Sequence, residues 1–86
     1  MKKSDVVLKE YVSKLSFENL KYLFERFNNR MGSDLSEACS FLLSNPEIDK
    51  LLGTAQDGDE FFNIIDTIAV QIEKEFDKRI PDLQHN

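Results

Sequence analysis

The stretch from Asp57 to Arg79, DGDEFFNIIDTIAVQIEKEFDKR, limits the possible folds more than any other part of the chain. Phe61, Phe62, Ile65, Ile68, Ala69, Ile72 and Phe76 recur at steps of three and four, so one side of a helix carries them all. Asp57 and Glu60 have capping-box spacing at its start. Pro81 is compatible with a stop just past Arg79, leaving residues 81–86 as a flexible tail. Such a helix spans up to roughly 30 Å at a rise of about 1.5 Å per residue. It forms a spine for shorter helices, because its apolar side must be covered.

The residues upstream supply those helices. Ser4 caps a first one ending near Ser13 or Lys14, with Leu8, Tyr11, Val12 and Leu15 facing inward. Ser16 caps a second, Phe17 to Met31, whose stripe is Leu20, Leu23, Phe24, Phe27 and Met31, and Gly32 is the left-handed residue that ends it. Asp34 and Glu37 repeat the capping-box spacing, with Ser33 as a competing cap, ahead of a third helix over Leu35 to Leu43. That helix presents Leu35, Ala38, Cys39 and Leu42, with Phe41 and Leu43 on its flanks. Asn45-Pro46 opens a short turn of helix to Leu52, contributing Ile48, Leu51 and Leu52, and Gly53 closes it. Strand-like alternation is nearly absent. The expected fold is all-α: a compact four-helix domain plus one short helical turn, occupying residues 1–80, with a long C-terminal helix.

A chain of 86 residues makes one domain with a small core, and its 41% apolar content, including seven Phe and two Tyr, suffices for it. The formal charge of -5 disfavours nonspecific attraction to nucleic acid or anionic lipid. The one cysteine, Cys39, excludes an internal disulfide and a multi-cysteine metal site, and reads as an ordinary half-buried thiol. Lys9 and Glu10 interrupt the apolar run near the amino terminus, so no signal peptide is expected there. With no long apolar run to span a bilayer, the expected location is the cytoplasm.

Motifs for chemistry are scarce. The third helix, Asn45-Pro46 and the short helix after it have helix-turn-helix order, but the recognition position is PEIDKLLG, with Glu47 and Asp49 against Lys50. Two carboxylates there oppose phosphate contact, so nucleic acid is disfavoured. Gln56 to Glu60 resembles part of a calcium loop, yet placing Gly58 sixth puts Gly53 first and Ile64 at the glutamate position. Helix capping explains those acids better. His85, the only histidine, stands one residue from the end of the sequence, and no catalytic set can be assembled around it. Glu73, Glu75 and Asp77, interleaved with Lys74 and Lys78, read as a solvated face. The last helix also lacks the basic polar face of an interfacial membrane helix. We expect no enzyme activity, no cofactor, no metal and no small-molecule substrate.

What remains is an interaction surplus on the last helix. Phe61 and Phe62 cannot point the same way, so the stripe broadens toward Phe61 and Ile64 on one side and toward Phe62 on the other. Tyr22 and Phe41 are further edge candidates, and Asp66, Glu73 and Asp77 add charge to the spine. The leading expectation is a noncatalytic protein-interaction or regulatory module, binding another protein or a second copy of itself as a homodimer. Two alternatives are an acidic inhibitor or immunity-type protein for a basic enzyme or toxin, and a small helix-turn-helix DNA-associated regulator.

Overall fold

The computed structural model describes residues 3–84, and the side chains of residues 5–80. Five helices follow one another: α1 (Lys3–Ser13), α2 (Phe17–Asn29), α3 (Asp34–Leu43), α4 (Pro46–Leu52) and α5 (Gly58–Gln84). The all-α expectation holds, and among the described residues there is no strand.

Local chemistry sets most of the boundaries. The Ser16 hydroxyl accepts from the Asn19 amide at 3.2 Å and starts α2. Asn45 caps α4 twice over, its Oδ1 accepting from the amides of Glu47 at 3.0 Å and Ile48 at 3.1 Å, with Pro46 in the first helical position. At the start of α5, Asp57 Oδ1 accepts from the Glu60 amide at 2.9 Å. Glu60 in turn reaches back to the Gln56 amide at 2.8 Å, one residue earlier than the standard box.

Four boundaries differ from the sequence reading. α1 already includes Lys3, so Ser4 lies within its first turn and not at the cap position. α2 stops at Asn29, because Arg30 itself takes the left-handed conformation (φ 49°) two residues before Gly32, which is also left-handed (φ 58°). A left-handed non-glycine costs about 1–2 kcal/mol, and Arg30 offsets this by donating from Nε to the otherwise open Phe27 carbonyl at 3.0 Å. Met31 therefore leaves the α2 stripe and is 74% exposed. At α3 no side chain caps the helix: Ser33 occupies the cap position, the Asp34 carboxylate accepts from the Met31 amide at 3.3 Å, and Glu37 turns toward Arg26. Finally, α5 runs past Arg79 and through Pro81 to Gln84, a length of about 40 Å. Pro81 removes one ladder bond, to the carbonyl of exposed Asp77, where water can replace it. Of the expected flexible tail, His85 and Asn86 lie outside the described residues.

α5 is the spine for α1 and α2, which pack along it; α3 lies on α2, and α4 closes against α3 and α1. Every helix contributes to a single core: Leu8 and Val12, Leu20, Leu23 and Phe27, Ala38 and Leu42, Ile48 and Leu52, then Ile65, Ile68 and Ile72. Full burial of such a Leu or Ile contributes about 1.5–3 kcal/mol before chain entropy is charged against it. The three isoleucines are spaced so that α5 meets α1 on one flank and α2 on the other, and this leaves an outer strip beyond α2.

A candidate interaction surface along α2 and α5

The outer strip begins with an aromatic floor. Phe76 stacks on Phe24 with ring centroids 4.1 Å apart and lies 5.7 Å from Phe17, locking the C-terminal half of α5 to α2. Beside this stack runs an open groove of about 430 Å³, whose apolar lining includes Phe24, Phe27, Ala69 and Val70. Arg30, Asp66 and Glu73 supply its charged edges. Phe62 is 52% exposed and Val70 47% exposed, on the helix that also puts Ile65, Ile68 and Ile72 into the core. Arg30 reaches across to Asp66 at 3.5 Å; both side chains are more than half exposed, so the pair adds little stability.

The eight side chains singled out from sequence divide into three groups. Tyr22 and Phe41 meet each other between α2 and α3, ring centroids 5.3 Å apart, and the Arg26 guanidinium sits 3.5 Å above the Tyr22 ring. Their aromatic faces are thus occupied within the fold. Phe61 and Ile64 are partly buried against the core, with Phe61 edge-on to Phe62 at 5.6 Å. Phe62, Asp66, Glu73 and Asp77 remain exposed on α5. Phe62, Asp66 and Glu73 are separated by four and seven residues, which aligns them on one face beside Val70.

Val70 and Arg30 belong to this surface and were not singled out from the sequence. For Val70 the signal was present: an apolar residue two positions from both Ile68 and Ile72 cannot share their buried face. No such signal exists for Arg30, whose placement depends on its left-handed backbone.

Of the residues behind the other candidate chemistries, His85 lies outside the described residues. Two of the three acids of the calcium-like segment, Asp57 and Glu60, are engaged in capping, and Asp59 is exposed. Among the described residues no three His, Cys, Asp or Glu side chains converge as a metal set. α4, the recognition position of a helix-turn-helix, exposes Glu47 and Asp49 and buries Ile48 and Leu52. The Cys39 thiol is pushed up from its ordinary value by burial, which disfavours the nucleophilic thiolate. Burial likewise raises the Tyr11 phenol. Glu75, expected in a solvated face, instead pairs with Arg79 at 2.8 Å and is largely buried. No helix among the described residues is long and apolar enough to cross a membrane.

Comparison of the chain with protein-family models, curated proteins and solved structures finds no match.

Proposed function

We propose that this protein is a noncatalytic interaction module whose working surface is the α2–α5 face. The observation that carries this reading is the joint exposure of Phe62 and Val70 on a helix that buries Ile65, Ile68 and Ile72 in the core. The adjoining open groove, where Phe24, Ala69 and Val70 lie among Asn28, Arg30, Asp66 and Glu73, offers a concave surface of mixed character into which a partner side chain can insert. Polar edges around an apolar centre give the face the layout of a protein-binding patch. A half-buried single thiol, Cys39, accords with a reducing, cytoplasmic setting.

The test is paired affinity capture from a cell extract with wild-type and Val70→Arg protein as baits. Proteins held by the wild type and lost with Val70→Arg support the reading, provided the two baits have the same circular dichroism and melting behaviour. Identical captured sets from both baits reject the face as the working surface.

A second reading has an observation of its own. Asp66, Glu73 and Asp77 are exposed together on α5, and an acidic inhibitor of a basic enzyme would use such a row. It predicts association that weakens steeply as salt rises, which an apolar homodimer contact does not.

A further inference from the structure

We infer that the α2–α5 groove seats a basic amphipathic helix of another protein and not a second copy of this chain; the assignment rests on the interaction-module reading above. The charges of α5 are sorted by flank. Toward α2, Asp59, Asp66, Glu73 and Asp77 are all exposed, in one row with Phe62 and Val70. The lysines of the same helix, Lys74 and Lys78, lie on the opposite flank toward α1, around a cleft shared with Lys9 and Ser13. On the α2 side Arg30 lies at the groove edge and already engages Asp66 at 3.5 Å. The strip therefore offers apolar contact at Phe62 and Val70 bordered by four carboxylates, with Lys74 and Lys78 displaced toward the α1 side.

The shape of the strip selects a helix. From Phe62 to Asp77 it extends about 22 Å, or four helical turns. A helix laid along it can place apolar anchors at three- and four-residue steps over Phe62, Val70 and the groove, with Lys or Arg on its flanks against the acids. Charge complementarity of this kind speeds encounter and fixes register more than it adds affinity. A symmetric pairing of two α5 strips does the opposite, setting the carboxylates of one copy against those of the other. Placing the lysine flank of one copy on the acidic strip of the next relieves the repulsion, but such a heterologous contact does not generally close into a dimer.

The test uses a fluorescently labelled synthetic peptide with leucines at i, i+3, i+4 and i+7 spacing and lysines elsewhere, beside its leucine/glutamate counterpart. Anisotropy titrations are run on the full chain at low and high salt. The inference expects saturable binding of the leucine/lysine peptide alone, weakening with salt. Glu73→Gln/Asp77→Asn is expected to weaken it roughly five- to tenfold, and Val70→Arg more. Glu47→Gln/Asp49→Asn removes the same charge from α4 and should change binding by less than about twofold. Equal loss from both double variants would mean diffuse attraction to an acidic protein and overturn the assignment, as would the absence of saturable binding. Light scattering on the protein alone supplies the last arm. Concentration-dependent growth abolished by Val70→Arg makes the occupant a second copy, which overturns this inference and leaves the interaction-module reading standing. Peptide binding and extract capture both indifferent to Val70→Arg would sink the two together.

Discussion

Arg79 donates from Nη1 to the carbonyl oxygen of Leu15 at 2.7 Å, joining the last helix to the turn that follows the first, 64 residues away. Its Nη2 donates to the Ser13 carbonyl at 3.1 Å and the Val12 carbonyl at 3.5 Å, and its Nε to Glu75 at 2.8 Å. The final carbonyls of a helix have no partner within it, and α1 has no basic residue in its own last turn. Arg79 supplies a donor to the Ser13 carbonyl and a second one to Val12, which also accepts from the Leu15 amide at 3.2 Å, and it adds positive charge at the negative end of the α1 dipole.

Arg79→Ala is therefore expected to lower stability by about 2 kcal/mol, the loss typical of charge-assisted hydrogen bonds at a largely buried site. For a domain of this size that corresponds to a fall of roughly 10 °C in Tm. Arg79→Lys should recover only part, because an ammonium cannot reproduce the planar fork. Glu75→Gln, which leaves the three carbonyl contacts in place, should cost less than Arg79→Ala. Thermal unfolding of the three variants checks the order; an Arg79→Ala protein that melts with the wild type refutes it.

The Asn45 cap gives a prediction of a different kind, since α4 has only seven residues, too few to form a stable helix alone. Its two cap bonds hold the turn in which Ile48 and Leu52 enter the core. Asn45→Ala should cost about 1 kcal/mol and Asn45→Asp a few tenths at most. Urea midpoints measure both. Equal loss from the two substitutions would mean that the side chain's shape at this position, and not its acceptor oxygen, holds the turn.

Phe62 and Ile65 separate what periodicity can tell from what packing decides. Both belong to the apolar pattern that announces α5, yet Phe62 is 52% exposed and Ile65 1% exposed. Ile65→Ala should cost about 2–4 kcal/mol through lost burial and an unfilled cavity, whereas Phe62→Ser should stay within about 1 kcal/mol. Denaturant unfolding decides it, and similar losses at the two positions would show that Phe62 packs more tightly than its exposure implies.

That contrast also marks how far the sequence could be read. Spacing at Ile65, Ile68 and Ile72, the Asn45-Pro46 signal and the Asp57/Glu60 pair each act within a few residues, so the all-helical order and most boundaries were legible from them. Arg30 and Arg79 depend on partners distant in the chain: Arg30 ends α2 in a conformation glycine normally takes, supported by Phe27 and facing Asp66, and Arg79 needs the end of α1 beside it. Nothing local distinguishes them from other surface arginines. The candidate surface was half legible for the same reason. Phe62, Asp66, Glu73 and Asp77 stood out on α5, while Tyr22 and Phe41 looked equally available until α3 brought their rings together.

Cys39 and Tyr11 predict how stability responds to alkaline pH. Burial raises the thiol above its ordinary 9.0 and the phenol above its ordinary 10.0. Both groups are neutral when protonated, so the unfolded chain loses these protons at lower pH than the folded one. Their contribution is complete below pH 9 and is lost as pH climbs through the raised folded values, because the unfolded state then gains more from ionisation. Stability measured by urea unfolding should thus show no loss from these two groups between pH 7 and about 8.5, then a decline that sets in near pH 9. Cys39→Ala removes the earlier part of that decline, and Tyr11→Phe the later part. The same burial predicts that a thiol reagent modifies Cys39 more slowly in the native protein than in urea at pH 8. Equal rates in the two conditions, together with a Cys39→Ala profile identical to wild type above pH 9, would place the thiol in water and refute the account.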